Sequence, residues 1–266
     1  MTDRRIDNQT LASLRFDGAP VVVTGAGAGI GRACCEVLAD LDATVLAVDF
    51  NDEILKGIAD PVAYGENPRA YVADVSSEES VRVLAGQIAN DFGSVAGVIN
   101  VAGTNDNTSL RNLKFDQWNH ILATNLSSVF LMTREFLPMV ESRRGSFVNI
   151  ASTYGLVGVR NNTSYCASKA GIINLTRQVA TEVGSSGVRA NSVCPGPTLT
   201  PRRQRSFDEG RANRREAEQR TLLGRMADPL EIARVAVFLT SGAASYITGA
   251  TIVVDGGQTA FIGPHD

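Results

Sequence analysis

Short apolar runs rich in β-branched residues alternate along this chain with longer amphipathic segments. This alternation is typical of βαβ units, in which helices cover both faces of a parallel sheet. We therefore predict an α/β fold with one doubly wound sheet of seven parallel strands flanked by helices. The predicted strands are Pro20–Thr24, Thr44–Val48, Ala70–Ala73, Gly97–Val101, Ser146–Ile150, Arg189–Val193 and Thr251–Val254. The predicted helices are Ile30–Ala39, Glu78–Phe92, Trp118–Val140, Ser164–Gly184 and Pro229–Leu239, the last with Asp228 as its N-cap.

The size and composition of the chain limit its function. A chain of 266 residues with 44% hydrophobic content can bury a large core as one α/β domain. Its net charge of -3 gives no general attraction to nucleic acid or to an anionic membrane, so we expect a small-molecule substrate. No apolar run approaches the ~18 residues of a membrane span, and Met1–Leu14 lacks the apolar stretch of a signal peptide. A cytoplasmic location is therefore expected.

The cysteines and histidines do not indicate a disulfide framework or a metal site. Cys34 and Cys35 are adjacent, Cys166 and Cys194 show no C-x-x-C spacing, and the two histidines lie far apart. We expect the four thiols to be small packing residues in a reducing compartment, and we expect no metal.

The chain contains no repeat, low-complexity tract or linker that divides it. We predict an N-terminal extension over residues 1–15 and a single catalytic domain over residues 16–266. The segment Pro201–Arg225 has no strand pattern and carries eight arginines against four acids. Its position before the Asp228 helix predicts a substrate lid around residues 200–225, over the carboxyl edge of the sheet where open α/β sheets bind ligands.

A glycine-rich turn connects the first predicted strand to the first predicted helix. It reads Thr24-Gly25-Ala26-Gly27-Ala28-Gly29-Ile30-Gly31, with the spacing G-x-x-x-G-x-G. Backbone N–H groups at such a helix N-terminus face a pyrophosphate, and the glycines permit tight turning and close approach. The turn therefore predicts dinucleotide binding, with a purely structural strand-to-helix turn as the alternative.

An acid at the end of the second predicted strand predicts which dinucleotide binds. Asp49 follows Gly31 at a distance where a carboxylate accepts hydrogen bonds from the adenosine ribose hydroxyls. A 2'-phosphate there would meet this carboxylate, and neither Ala28 nor Phe50 offers a compensating cation. NAD is therefore favoured over NADP, and the alternative is that Asp49 is a turn residue beside Asn51.

Tyr165 and Lys169 lie four residues apart in a predicted helix, so their side chains project from one face. A free tyrosine titrates near pH ~10, and a pKa of about 7 requires roughly 4 kcal/mol of differential stabilisation. One cation at about 4 Å, with an effective dielectric constant of about 20, supplies about that much. The pair is therefore expected to make Tyr165 a usable base at neutral pH, although the spacing alone proves little.

Seven separated segments together resemble one known family. They are Thr24–Gly31, Asn100–Gly103, Asn125, Ser152, Tyr165 with Lys169, Pro195–Gly196 and Val254–Gly257. Their order and approximate spacing over residues 16–258 resemble the short-chain dehydrogenase/reductase family, in its NAD-dependent type with a TGxxxGxG turn and a YxxxK active site. The resemblance implies a single Rossmann-like catalytic domain, which agrees with the fold that the alternating segments predict.

The resemblance also implies a role for each residue of the active site. Tyr165 would be the general acid/base, and Ser152 would contact the substrate and polarise its oxygen. Lys169 would hold the nicotinamide ribose and depress the tyrosine pKa, while Asn125 would position a water that links Lys169 to solvent. The residues implied at the cofactor are Gly25, Gly27, Ala28, Gly29, Ile30, Gly31, Asp49, Phe50, Asp74, Val75, Asn100, Ala102, Gly103, Tyr165, Lys169, Pro195, Gly196, Thr198 and Thr200.

Some residues depart from the family pattern or leave two interpretations open. Val101 replaces the second asparagine often seen in the N-N-A-G segment, which is expected to affect loop hydrogen bonding more than chemistry. Tyr154 either reaches the substrate or packs as a lip residue. Arg202, with Arg203 and Arg205, is a candidate for an anionic substrate because guanidinium groups bind carboxylates and phosphates in bidentate fashion. A solvated lid whose arginines pair with nearby acids is the alternative.

The sequence predicts an NAD-dependent dehydrogenase that interconverts a secondary alcohol and a ketone by hydride transfer. Polyols, sugars, cyclic alcohols and hydroxy acids all remain open as substrates. The resemblance implies a homotetramer, with the Trp118 and Ser164 helices between subunits. One rival is an NADPH-dependent 3-oxoacyl-[acyl-carrier-protein] reductase, and a rival of another class is a non-catalytic NAD-binding sensor or scaffold.

Overall fold

The computed structural model describes residues 11–55 and 69–260, and within them seven strands form one parallel sheet. The strands are β1 (Pro20–Thr24), β2 (Thr44–Asp49), β3 (Arg69–Val72), β4 (Gly97–Asn100), β5 (Ser146–Ile150), β6 (Arg189–Pro195) and β7 (Thr251–Val254). Their order in the sheet is β3-β2-β1-β4-β5-β6-β7. This confirms the predicted doubly wound α/β sheet. Most of the predicted extension 1–15, as well as residues 261–266 of the predicted domain, lies outside the described residues.

Helices cover both faces of this sheet. They are α1 (Gly29–Asp40), α2 (Asp52–Leu55), α3 (Glu78–Phe92), α4 (Phe115–Leu122), α5 (Ser128–Glu141), α6 (Thr163–Val183), α7 (Pro201–Asp208), α8 (Arg214–Glu218) and α9 (Pro229–Thr240). The predicted start of α9 is confirmed, because Asp228 accepts a hydrogen bond from Leu230 N (2.8 Å) and Glu231 accepts one from Asp228 N (2.9 Å). In the part of the chain described, no helix combines the length and apolar character needed to cross a membrane.

The sheet has two apolar faces because successive strand residues point in opposite directions. Val21 and Val23 pack with α1 and α9 on one face, whereas Val22 packs with α3 and α5 on the other. All three side chains are fully buried. Burial of a valine of this kind contributes about 1.5–3 kcal/mol, so β1 is held by apolar packing from both sides.

The predicted single helix Trp118–Val140 is wrong in two respects. The helix begins before Trp118, because the Gln117 side chain accepts a hydrogen bond from Lys114 N (3.0 Å) and so caps its first turn. A π-helical turn, Ala123–Ser127, then separates α4 from α5. Such a turn inserts one extra residue, and here it contains Asn125, which is fully buried.

The predicted lid contains two short helices, α7 and α8, that the sequence analysis did not predict. Thr200 is the N-cap of α7, with its hydroxyl accepting from Arg203 N (3.3 Å) and Pro201 at the first helical position. Asn213 caps α8 in the same way. The lid therefore contains two short helices, each with a side-chain N-cap, rather than being an unstructured loop throughout.

Gly31 provides a test of how tightly the turn after β1 is packed. A Cβ atom on Gly31 would lie 2.0 Å from the Gly25 carbonyl oxygen, so we expect Gly31→Ala to destabilise the protein by about 2 kcal/mol or more. Gly86, exposed in α3, is the matched control because a Cβ there meets nothing within 4 Å. Gly86→Ala is expected to stabilise by about 0.5–1 kcal/mol. Urea unfolding checks both, and a Gly31→Ala protein as stable as wild type would contradict the packing.

Candidate active site

The predicted site residues lie along the carboxyl edge of the sheet. Gly25 follows β1, Asp49 ends β2, Asn100 ends β4, Ser152 follows β5 and Pro195 ends β6. Open α/β sheets bind ligands at this edge, close to the strand where the chain order reverses. The reversal lies at β1, which is flanked by β2 and β4. The fold therefore gathers the cofactor and catalytic candidates at one crevice.

The glycine turn adopts a conformation that side chains disfavour. Gly25 and Gly29 have φ values of 63° and 57°. A Cβ on Gly25 would lie 2.9 Å from Ala102 Cα, and one on Gly29 would lie 3.1 Å from Thr200 Cγ2. The N-cap of α1, Ala28, offers no side-chain hydrogen bond, and the first turn of α1 contains no acid. No side chain therefore caps the first turn of α1, whose N–H groups can face an anion.

Asp49 joins the end of β2 to the glycine turn. Its Oδ2 atom accepts a hydrogen bond from Gly27 N (3.1 Å), and its Oδ1 atom accepts one from Asn51 N (3.2 Å). Asp49 thus contacts the predicted cofactor turn. It also makes the local contact expected if Asp49 is only a turn residue. Among the described residues no basic side chain forms a salt bridge with it. Phe50, the next residue, is 76% exposed.

The other cofactor candidates differ in the burial of their side chains and in their hydrogen-bond partners. Asp74 is exposed and accepts from Ser76 N (2.9 Å), whereas the Val75 side chain packs into the core. Asn100 is buried and donates to Asn149 Oδ1 (2.8 Å). The Asn100 Oδ1 atom is buried without a partner among the described residues. A hydrogen-bond donor from a ligand would therefore satisfy Asn100.

Ser152 and Tyr165 lie close together at the crevice, near enough for the Ser152 hydroxyl to lower the pKa of the phenol. Loss of water around the phenol raises the pKa of Tyr165. The Ser152 hydroxyl and the positive charge of Arg202 act in the opposite direction, but they are outweighed. The tyrosine is therefore neutral in this structure, which is the form that donates a proton.

Lys169 lies below Tyr165, with its Nζ atom 5.6 Å from the centre of the phenol ring. Lys169 is 4% exposed, and its ammonium group donates a hydrogen bond to the Ile150 carbonyl oxygen (2.8 Å). Burial lowers the pKa of Lys169 to about 8. Loss of water dominates in this structure and the net pKa of Tyr165 is raised, so the lowering of that pKa by Lys169 stays a prediction.

Asn125 reaches the same cluster from the π-helical turn. Its Nδ2 atom donates to the Thr104 carbonyl (2.9 Å) and to Ser168 Oγ (3.0 Å), and its Oδ1 atom accepts from Thr104 N (2.8 Å). A Cβ on Gly103 would lie 3.2 Å from Asn125 Oδ1 and 3.6 Å from Lys169 Nζ. Because Gly103 has no side chain, no Cβ atom presses on these two polar atoms, which are themselves buried.

Two supporting contacts at the site were not predicted from the sequence. A Cβ on Gly155 would lie 2.7 Å from the Lys169 carbonyl carbon, so only glycine lets the loop after Ser152 pack directly on α6. Thr153 Oγ1 also donates to Gln258 Oε1 (3.1 Å), which ties this loop to the turn after β7. The sequence offered a signal only for the glycine-rich turn around Gln258, not for the contacts it makes.

The lid approaches the catalytic groups through aromatic and polar contacts. The Tyr154 and Tyr165 rings meet edge to face at 6.1 Å, and Arg220 Nη1 donates to the Tyr154 hydroxyl (3.3 Å). Arg202 Nη2 donates to the carbonyl oxygen of Asn105 (3.2 Å). Thr198 Oγ1 donates to the Gly196 carbonyl just beyond β6. Tyr154 and Arg202 are thus adjacent to the crevice, and their contact with a substrate stays a prediction.

Comparisons with known proteins identify the family. A family model described as enoyl-(acyl carrier protein) reductase matches residues 25–259. The chain is 36% identical to the 3-oxoacyl-[acyl-carrier-protein] reductase FabG of Vibrio harveyi, over 92% of this chain and 99% of that protein. It is 36% identical to D-threitol dehydrogenase of Mycolicibacterium smegmatis, over 92% of this chain and 94% of that protein. The crystal structure of gox2181 matches with a TM-score of 0.90 and 30% identity, over 95% and 100% of the two chains.

This chain belongs to the short-chain dehydrogenase/reductase family of oxidoreductases, which act on alcohols and ketones with a nicotinamide cofactor. The residues present fit such a cofactor. The uncapped first turn of α1 accepts an anion, and Asn100 keeps an unpaired buried oxygen. Gly103 leaves space above Lys169 and Asn125. Among the described residues no cluster of three potential metal ligands is found.

The lowered pKa of Lys169 predicts a link between stability and pH. Between its folded value of about 8 and its usual value of 10.5, the unfolded chain binds a proton that the folded chain does not, so stability rises with pH. We expect wild type to gain about 2 kcal/mol over Lys169→Met between about pH 7.5 and about pH 9.5. Urea unfolding of both proteins at the two pH values measures this gain. A constant difference between them would contradict the burial of the charge.

Proposed function

We propose that this protein is an NAD-dependent dehydrogenase that interconverts a secondary alcohol and a ketone. The observation that carries this proposal is the convergence of the Ser152 and Tyr165 hydroxyl groups on the buried Lys169, whose Nζ atom lies 5.6 Å from the centre of the Tyr165 ring. A hydroxyl pair next to a cation can hold one oxygen and exchange its proton. The homotetramer and the cytoplasmic location expected from the sequence are part of the same proposal.

The residues divide the chemistry among themselves. Ser152 holds the substrate oxygen, and Tyr165 takes the hydroxyl proton during oxidation or returns it during ketone reduction. Lys169 favours the phenolate through its positive charge, and it also offers a donor to the nicotinamide ribose. Asn125 positions Ser168 and the backbone of Thr104 around this cluster. When bound, NAD supplies the hydride acceptor, while the protein supplies orientation and electrostatics.

The neutral phenol in the structure is suited to proton donation, which is the step required for ketone reduction. Oxidation requires the phenolate, whose formation the positive charges of Lys169 and Arg202 assist. Since burial raises the Tyr165 pKa, alcohol oxidation should gain more from alkaline conditions than ketone reduction does. The direction of the reaction therefore depends on how ligand binding changes the surroundings of Tyr165.

The preference for NAD is supported by the carboxylate of Asp49. Its Oδ2 atom lies against the glycine turn, and none of the described cations pairs with it. A ribose 2'-hydroxyl can donate to this carboxylate, whereas a 2'-phosphate is repelled by it. At about 4 Å with an effective dielectric constant of about 20, this repulsion amounts to about 4 kcal/mol before solvent screening. Screening by solvent reduces the discrimination towards about tenfold.

Two rival functions differ from the proposal in measurable ways. An NADPH-dependent 3-oxoacyl-[acyl-carrier-protein] reductase is favoured by similarity to FabG of Vibrio harveyi, and it requires the opposite cofactor preference. A non-catalytic NAD-binding sensor or scaffold has no need of the assembled Ser152, Tyr165 and Lys169 cluster. Such a protein would bind NAD without oxidising any of the substrate classes left open.

Replacement of Tyr165 tests the proton-transfer role. Tyr165→Phe is expected to retain NAD affinity but to lose turnover by at least ~100-fold, because the general acid/base is removed. The matched control is Tyr71→Phe on the edge strand β3. It removes a hydroxyl that bonds to Asp91 of α3, and it should keep wild-type turnover. Steady-state rates of NADH formation and NAD titrations give both quantities. Turnover of Tyr165→Phe within a few-fold of wild type would exclude this mechanism.

Replacement of Asp49 tests the cofactor preference. The wild-type kcat/KM for NAD is expected to exceed that for NADP by at least ~10-fold, because only the 2'-phosphate meets the carboxylate. Asp49→Ala should narrow this gap, and Asp49→Asn should narrow it while keeping one acceptor oxygen. Kinetics with both cofactors measure the gap. Equal use of NADP by wild type would instead favour the 3-oxoacyl reductase.

A further inference from the structure

The first turn of α7 lies between three parts of the active site. Its N-cap, Thr200, contacts Gly29 of the cofactor turn, since a Cβ there would lie 3.1 Å from Thr200 Cγ2. Arg202 Nη2 donates to the Asn105 carbonyl oxygen (3.2 Å), in the loop that follows β4. The Arg202 guanidinium also lies close enough to Tyr165 to lower the pKa of the phenol. Arg202 is therefore at the mouth of the crevice, beside the group that reacts with substrate.

Four of the eight arginines of the lid form salt bridges with nearby acids. The salt bridges are Arg211 with Glu209, Arg214 with Glu218, Arg220 with Glu216 and Arg225 with Glu231. Arg203 stacks over the Phe207 ring at 5.7 Å. Arg202 has no carboxylate partner among the described residues. The solvated-lid interpretation therefore explains the paired arginines but not Arg202, which like Arg205 and Arg215 has no salt bridge among the described residues, and which alone of these three donates to the loop after β4.

The acid nearest in sequence to the Arg202 contact is engaged elsewhere. Asp106 Oδ1 accepts hydrogen bonds from Thr108 N and Thr108 Oγ1, and no described cation forms a salt bridge with Asp106. Its Oδ2 atom is buried without a partner. Arg202 instead contacts the neutral carbonyl of Asn105. Arg202 and Asp106 therefore form no direct salt bridge.

The guanidinium of Arg202 keeps donors for a ligand. Arginine carries five N–H donors in a planar fork, and one atom, Nη2, has a hydrogen-bond partner among the described residues. The remaining donors match the two oxygens of a carboxylate or phosphate. A substrate whose hydroxyl lies at Ser152 and Tyr165 would extend such a group towards Arg202.

We propose that Arg202 is the specificity-determining residue for an anionic group, carboxylate or phosphate, on the secondary-alcohol substrate. This proposal rests on the proposed dehydrogenase function and narrows its substrate class to hydroxy acids and hydroxyalkyl phosphates. Arg203 and Arg205 of the same helix do not share the role. Arg203 is stacked on Phe207, and Arg205 makes no contact with the crevice loops among the described residues, whereas Arg202 donates to Asn105.

Binding to the protein saturated with NADH tests the assignment without turnover. The probes are two matched pairs: 3-hydroxybutyrate with 3-hydroxybutyramide, and glycerol 3-phosphate with glycerol. We expect at least one anion to bind wild type at least ~10-fold more tightly than its neutral partner. Arg202→Ala should bring that ratio close to one, and Arg202→Lys should restore part of it because the charge remains while the fork is lost. Arg205→Ala, which removes an equal charge from α7, should keep the wild-type ratio.

Use of a ratio separates recognition of the anion from indirect effects of Arg202 on Tyr165. A change in the phenol alters both members of a pair equally, whereas loss of anion binding alters one. Equal binding of anion and neutral partner by wild type would overturn the assignment, as would a ratio that survives Arg202→Ala. The carboxylate and phosphate pairs show which anion is preferred.

NADH formation from the same four compounds distinguishes failure of this assignment from failure of the proposed function. Suppose that the neutral alcohols are oxidised and that Arg202→Ala keeps the wild-type ratio of anion binding to neutral binding. The dehydrogenase function would then stand, and the role of Arg202 would be rejected. If the anions are oxidised as expected, Arg202→Ala should raise their KM more than it lowers kcat. If no secondary alcohol of any class is oxidised, both proposals are overturned together.

Discussion

A buried ammonium group explains why the active site is built as it is. Lys169 is 4% exposed, and its charge is stabilised by a hydrogen bond to the Ile150 carbonyl at the end of β5. Removing a lysine from water without such a partner costs several kcal/mol. The bond therefore fixes α6 against the carboxyl edge of the sheet, and it also fixes Tyr165, which lies one helical turn before Lys169.

The surrounding elements pack closely around this charge. Gly155 brings the loop carrying Ser152 onto the backbone of α6, and the π-helical turn places Asn125 against the same cluster. Gly103 carries no side chain, and a Cβ there would lie 3.2 Å from Asn125 Oδ1 and 3.6 Å from Lys169 Nζ. A larger residue at position 103 would therefore press on the polar atoms of the cluster.

The strands and the glycine turn could be predicted because apolar periodicity and glycine spacing are local properties of the sequence. For example, β5 was predicted with its observed ends, Ser146–Ile150. The π-helical turn could not, since its cause is the tertiary hydrogen bonding of Asn125. The start of α7 carried a readable signal, Thr200 followed by Pro201, which the arginine-rich composition obscured. The raised pKa of Tyr165 depends on burial, which the spacing of a tyrosine and a lysine does not contain.

The central claim is that hydride passes from the carbinol carbon of a secondary alcohol to NAD at this crevice. The most direct measurement uses a secondary alcohol that the protein oxidises, carrying deuterium at the carbinol carbon, and mass spectrometry of the NADH formed. The account predicts one deuterium per NADH, at C4 of the nicotinamide, with no exchange into water. NADH formed without deuterium, or no NADH formed from polyols, sugars, cyclic alcohols or hydroxy acids, would contradict it.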